Sequence, residues 1–186
     1  MMEEIMEREL GISDRSRSSL GYFEEIIEMY EKAVVQFAYT YVKDWSVAED
    51  ISQEVFLKVY KNIGKFEERS KLKTWLFSIT ANQCKDYIRS TNRKAKWWNN
   101  LLQTFQNRDE VTPETIILQS EENESLGEDL LCLPVKYREV LVLYYYEELS
   151  TEEIGQLLKI NGSTVRTRLH RGRQQLSDLR EGGQQS

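Results

Sequence analysis

The sequence predicts an all-α protein: two small helical domains joined by an acidic, flexible linker, the second domain a helix-turn-helix. Three observations carry that reading. Apolar residues recur at three- and four-residue steps in several separate runs, which is the spacing of a helix with one buried face. No run alternates apolar and polar residues as a half-buried strand does. Two prolines and nine glycines in 186 residues are too few for a sandwich or barrel, which turns about every 8–12 residues.

Residues 1–20 are charged and Ser-rich and read as a disordered tail. The first domain, residues 21–98, opens with a helix carrying Phe23, Ile26, Ile27, Tyr30, Val34, Phe37, Ala38 and Tyr41 on its apolar stripe. Lys43 to Ser46 is a polar break in which Ser46 or Asp44 can cap the next helix. That second helix buries Ala48, Ile51, Val55, Val59 and Ile63 and ends near Gly64. After a short charged loop, Glu67 to Lys71, a third helix runs from about Leu72 to Asn92. Residues 99–125 form the linker, with six acids against the single base Arg108 and a helix-breaking Pro113. Periodicity returns at Leu126, Leu130 and Leu131 in the second domain, residues 126–180. Pro134 suits the first turn of a helix that extends to Tyr146. Ser150 to Glu153 is a capping box, and residues 181–186 close the chain as a second tail.

Charge distribution says more than its total of −6. Residues 65–96 hold nine bases and three acids, and residues 159–173 hold five bases and no acid, so the rest of the chain carries −17. Two basic patches on an acidic body point to two separate contacts with a polyanion. The acidic remainder repels DNA at long range, so the chain is expected to bind poorly unless a partner holds it in place. Ordinary solvated helix faces are the bland alternative for either patch.

Most enzyme templates are absent. The one histidine, His170, and the two cysteines, Cys84 and Cys132, match neither a zinc spacing nor a disulfide framework. Glycine-rich phosphate loops, HExxH and GxSxG are missing. The expectation is a non-enzyme with no catalytic residue, no metal and no cofactor. No stretch approaches the roughly 18–20 apolar residues of a membrane span, and the charged N-terminus lacks a signal-peptide core. A cytoplasmic protein without direct membrane insertion is expected.

Residues 151–170, TEEIGQLLKINGSTVRTRLH, fit a helix-turn-helix. Ile154, Leu158, Ile160, Val165 and Leu169 supply a shared core, and Gly155 is small where the helices approach. Asn161-Gly162-Ser163 supplies the turn and cap. The second helix then presents Ser163, Thr164, Arg166, Thr167, Arg168 and Arg171 outward, side chains that donate to base edges and phosphates in a major groove. The first helix ends at Lys159 where such motifs favour Gly, and a left-handed non-Gly residue costs on the order of 1 kcal/mol. A packed helical hairpin is the alternative. On the third helix, Ser78, Asn82, Lys85 and Arg89, continued by Arg93, form a polar stripe beside the buried row Phe77, Ala81, Cys84 and Ile88. A stripe ending in bases, without acid partners, suits a nucleic-acid backbone. Trp75 reads as core, whereas Trp97 and Trp98 fit either core or stacking on unpaired bases.

Three blocks, AEDISQEVFLKVYKNI (48–63), FEERSKLKTWLFSITANQCKDYIRSTNRK (66–94) and LPVKYREVLVLYYYEELSTEEIGQLLKINGSTVRTRLHRGR (133–173), together resemble an extracytoplasmic-function sigma factor of the sigma-70 family. That family comprises promoter-recognition subunits of bacterial RNA polymerase. The resemblance spans about Tyr22 to Leu176. It implies that Asp50, Gln53, Glu54 and Lys58 dock on the β′ clamp helices of core polymerase, and that the second domain meets the β flap. It implies that the loop bearing Arg69, Ser70 and Lys71 captures a flipped base of the −10 element, at a cost of a few kcal/mol that partner contacts offset. Asn82, Lys85, Arg89 and Arg93 then grip the adjoining DNA, and the helix from Ser163 reads the −35 element. The linker threads the polymerase's RNA channel, and a cognate anti-sigma factor, often membrane-tethered, is the implied regulator. The competing function is a stand-alone helix-turn-helix transcriptional regulator, which binds a two-fold operator without polymerase.

Overall fold

A computed structural model describes residues 19–63, 71–101 and 121–183. Seven helices and no strand occur among them: α1 (Ser19–Val42), α2 (Trp45–Asn62), α3 (Leu72–Leu101), α4 (Glu121–Cys132), α5 (Val135–Tyr145), α6 (Thr151–Leu158) and α7 (Gly162–Gly183). Helices α1, α2 and α3 pack on one another, α4, α5 and α6 pack around α7, and the two groups meet where α1 touches α5 and α3 touches α6.

The expected apolar rows are the buried ones, except that Phe23, Ile27, Ile63 and Ile88 are half-buried. Ile26, Tyr30, Val34, Phe37, Ala38 and Tyr41 of α1 face Ala48, Ile51, Val55 and Val59 of α2 and Leu76, Phe77, Ala81 and Cys84 of α3. Phe37 sits at the centre, edge-on to Tyr41 at 5.3 Å and to Phe77 at 5.2 Å between ring centroids, a spacing and orientation that aromatic quadrupoles favour. Trp75 is half-buried and packs against this core. Cys84 lies fully buried, and burial pushes its thiol up to about 12. Cys132 is exposed, and both cysteines are free.

Local chemistry sets the helix ends. Lys43 takes a left-handed φ of 58° and donates to the Tyr39 carbonyl at 2.9 Å, closing α1. Asp44 rather than Ser46 caps α2, accepting from the Val47 amide at 3.0 Å. Helix α3 extends past Asn92 to Leu101, since no Gly or Pro interrupts residues 93–101. Pro134 stands at the N-cap of α5, one position before the first turn. Helix α7 continues through residues 181–183 of the expected terminal tail. The expected tail 1–18, the loop 64–70 and the middle of the linker, 102–120, lie outside the described residues.

Two stretches are buried more completely than an amphipathic stripe requires. Phe37 to Tyr41 in α1 and Tyr137 to Leu143 in α5 are each buried without a break. Both sit where the two helical groups meet, so each helix is covered on a second face. Arg138 lies in this seam, 3% exposed. Its guanidinium donates to the Leu131 carbonyl at 2.8 Å, the Leu133 carbonyl at 2.6 Å, and across the seam to the Thr40 carbonyl.

Candidate nucleic-acid interface

The helix-turn-helix forms as its residues require. Ser150 caps α6: its hydroxyl accepts from the Glu153 amide at 3.2 Å, and the Glu153 carboxylate accepts from the Ser150 amide at 2.8 Å. Helix α6 ends at Lys159 with φ 56° and ψ 45°, the left-handed geometry the sequence anticipates. The Ile160 amide then donates to the Gly155 carbonyl at 2.9 Å. A Cβ on Gly155 would meet the Ile160 carbonyl oxygen at 2.9 Å, so only glycine lets the turn close this tightly. Asn161 caps α7, accepting from the Thr164 amide at 2.7 Å and the Ser163 hydroxyl at 2.8 Å. Ile154, Leu158, Val165 and Leu169 are buried as expected, joined by Leu149 and Leu157, whereas Ile160 is half-buried.

The expected reading face is only partly outward. Ser163, Arg166, Thr167 and Arg171 are exposed, and Thr164 is half-buried. Arg166 lies 3.9 Å from Glu152 within the same motif. Arg168 departs from the expectation: its side chain turns inward and donates to Glu139 of α5 at 2.8 Å. Helical phase is the reason. Val165, Arg168, Leu169 and Gly172 follow the i, i+3, i+4, i+7 rule of a buried stripe, and the other three are buried.

The polar stripe of α3 is also not free of acid partners. Asn82 and Arg89 are exposed, but Arg89 pairs with Asp86 at 3.2 Å. Ser78 donates back to the Trp75 carbonyl at 2.7 Å. Lys85, one position beyond buried Cys84, reaches Glu139 at 2.9 Å. Lys71 pairs with Glu153 at 3.5 Å. Arg69 and Ser70 lie outside the described residues, as do the side chains of Arg93, Trp97 and Trp98.

On α2, Asp50, Gln53, Glu54 and Lys58 are exposed together, opposite the buried row. Gln83 of α3 donates to Glu54 and accepts from Lys58, tying the face to its neighbour. The sequence reading missed Leu57, 58% exposed in the midst of this face. A groove of about 770 Å³ runs alongside, lined among others by Phe23, Trp45, Gln53, Phe56 and Leu57.

Glu139 was also missed. Its side chain is 4% exposed, yet it receives three donors: Lys85, Arg168 and the Tyr41 hydroxyl at 2.6 Å. Burial and the adjacent Glu139 charge push the Tyr41 phenol well above its usual value, so it stays a donor. A signal existed in the sequence. Arg138-Glu139 directly precedes the apolar run Val140 to Leu143, and charges at such positions must find partners when the helix is covered.

Two family models match in chain order: Sigma-70 region 2 over residues 26–94 and Sigma-70 region 4 over residues 124–176. A three-helix unit followed by a helix-turn-helix in that order defines a promoter-recognition factor of the sigma-70 type. The ECF RNA polymerase sigma factor SigW of Bacillus subtilis (strain 168) is 37% identical over 168 residues, covering 84% of this chain and 90% of that protein. SigM of the same organism is 34% identical, covering 84% of this chain and 93% of its own. The chain therefore belongs to the extracytoplasmic-function sigma factors, and it acts in promoter-specific initiation of transcription. A stand-alone regulator leaves the region 2 match without a role.

Solved structures share the fold. The sigma factor RpoE, in complex with the anti-sigma factor NepR from Bartonella quintana, superposes with a TM-score of 0.71 at 23% identity, over 86% of this chain and 96% of that one. CnrH, in complex with the cytosolic domain of CnrY, gives 0.61 at 21% identity, over 86% and 88%. Among the described residues, no helix is long and apolar enough to cross a membrane, and no group of three or more His, Cys, Asp or Glu residues is placed to hold a metal ion.

Proposed function

We propose that this sigma factor divides its work between residues 21–98 and 126–180, joined by the acidic segment 99–125. The exposed α2 face of Asp50, Gln53, Glu54 and Lys58 docks on the β′ clamp helices of core polymerase. Arg69, Ser70, Lys71, Asn82, Lys85, Arg89 and Arg93 hold and help to melt the −10 element. Ser163, Thr164, Arg166, Thr167, Arg168 and Arg171 read the −35 element, with the β flap as their support. The chain carries out no chemistry and uses no cofactor. Melting draws on binding energy, because each weak contact raises the effective concentration of the next. It works in the cytoplasm. Its regulator is an anti-sigma factor, as in the complexes of RpoE with NepR and of CnrH with CnrY.

The observation that carries this reading is the pairing, in one acidic chain, of a helix-turn-helix with a second basic helix and a separate exposed polar face. An operator-binding regulator has no use for the last two. Run-off transcription from a promoter library with purified core polymerase tests it. Specific starts should appear only when the chain is added, and should fall at least tenfold for Arg89→Glu and for Arg166→Glu, since each loses a phosphate or base contact of about 1–3 kcal/mol and gains repulsion. Tight DNA binding by the chain alone with no polymerase-dependent starts would favour the stand-alone regulator.

A further inference from the structure

Glu139 lies between the two DNA-facing sets. Lys85 belongs to the −10 set on α3, Arg168 to the −35 set on α7, and one carboxylate holds both: Lys85 on Oε2 at 2.9 Å and Arg168 on Oε1 at 2.8 Å. Tyr41 of α1 donates to the same carboxylate at 2.6 Å. The two cations keep only 32% and 25% of their side-chain surface exposed, against 4% for Glu139. Around this node the seam is ionic as well. Lys71 meets the capping carboxylate Glu153 at 3.5 Å, and Lys73 meets Glu147 at 3.3 Å with both side chains 11% exposed.

A phosphate and a carboxylate compete for the same N–H donors. An ammonium or guanidinium hydrogen that is committed to buried Glu139 is not available to a DNA backbone. The α2 face, by contrast, is open in the same molecule, with Asp50, Gln53 and Glu54 exposed. Polymerase can therefore be met while DNA cannot be fully gripped.

We propose that Glu139 is an autoinhibitory latch: in the free chain it clamps Lys85 and Arg168 together and holds the two helical units closed, and both DNA contacts become complete only when the units part. The inference rests on the reading of α3 and α7 as DNA-binding helices. The latch explains why one buried acid collects three donors from α1, α3 and α7. A purely structural carboxylate needs no partner drawn from each DNA-facing set. It also orders events. Docking on polymerase comes first, separation of the units second, and the grip on DNA third. The closed population lowers apparent DNA affinity by the fraction of open molecules, so an open fraction near one in ten masks about tenfold.

The test uses the full chain with Glu139→Gln, which keeps size but removes the charge, and Tyr41→Phe, which deletes one donor and leaves the core filled. Spin labels at Lys61→Cys and Gln174→Cys, with Cys132→Ser, report the distance between the units, both sites being exposed. DNA affinity of the free chain is read by anisotropy on a promoter fragment that the wild type uses in run-off transcription. The wild type should give one dominant, narrow distance with a minor longer component. Glu139→Gln should broaden and lengthen it and tighten free-chain DNA binding about five- to tenfold, with Tyr41→Phe moving both in the same direction by less. Run-off at saturating polymerase should not change. An unaltered distance and affinity in both variants, with helical circular dichroism retained, overturns the latch, as does opening without any gain in affinity. Failure of the polymerase reading registers separately, as missing starts with the wild-type chain.

Discussion

Single residues in the turn of the helix-turn-helix show how backbone geometry selects side chains. Gly155 is dictated by space: the Ile160 carbonyl oxygen would stand 2.9 Å from an added Cβ. Lys159 is a different case, since its φ of 56° strains the backbone while its side chain lies in solvent. A Cβ in the left-handed region costs on the order of 1 kcal/mol, part of which glycine returns as extra freedom in the unfolded chain. Lys159→Gly is therefore expected to stabilise the fold by up to about 1 kcal/mol, read as a higher midpoint in urea. A lower midpoint would mean that the lysine side chain contributes something beyond the strain it imposes. Arg168 and Lys85 obey another residue-scale rule. A long cation at the edge of a buried row folds back whenever a buried acid is within reach, and Glu139 is.

At the scale of elements, α6 depends on its first turn. It spans only Thr151–Leu158, too short to persist without a cap and packing. Burial pushes the Glu153 carboxyl upward, but the Ser150 amide and hydroxyl together with the Lys71 ammonium outweigh it and hold it below the usual carboxylate range. A carboxylate whose folded value is depressed adds stability that is complete above its unfolded value of about 4.3 and is lost as pH falls through the folded value. The Glu153→Gln variant should consequently be less stable than the parent at about pH 6, with the deficit shrinking in acid below about pH 4. Urea titrations across that range measure it, and a deficit independent of pH would assign the loss to packing instead. Because Lys71 precedes α3, the capping carboxylate of α6 also fastens the two helical units together.

Across the whole molecule one apolar cluster runs through both helical groups, and polar and ionic contacts are set into the seam where they meet. Arg138 is its centre, donating to two carbonyls near the α4–α5 junction and to Thr40 near the end of α1. Arg138→Met fills the volume but leaves three carbonyls without that donor, at about 1–3 kcal/mol for each one that stays buried and unsatisfied. All four tryptophans, at 45, 75, 97 and 98, belong to the first helical group, α1 to α3, so fluorescence tracks that group while circular dichroism tracks both. The two signals should trace one urea transition in the wild type and separate in Arg138→Met, because coincident probes are the mark of a single cooperative unit. Separation already in the wild type would show that the seam does not couple the halves. The ions and carbonyls of the seam tolerate exposure far better than the apolar residues beside them.

Range separates the features legible in the amino-acid order from those that were not. The apolar rows of α1, α2 and α3, the Ser150–Glu153 box, the left-handed Lys159 and the close approach at Gly155 each depend on residues within about one or two helical turns. Near-neighbour chemistry decides them, and the order of the amino acids alone was enough. The uninterrupted burial of Phe37 to Tyr41 and of Tyr137 to Leu143, and the partner that Arg168 meets on its inward face, were not legible in the same way. Periodicity marks the face a side chain occupies and is silent about what covers that face. Tyr41 lies 98 residues from Glu139 and Arg168 lies 29 from it, with no local pattern linking them. Which donors meet a buried carboxylate is settled only when helices from distant parts of the chain come together and the desolvated charge takes the cations within reach.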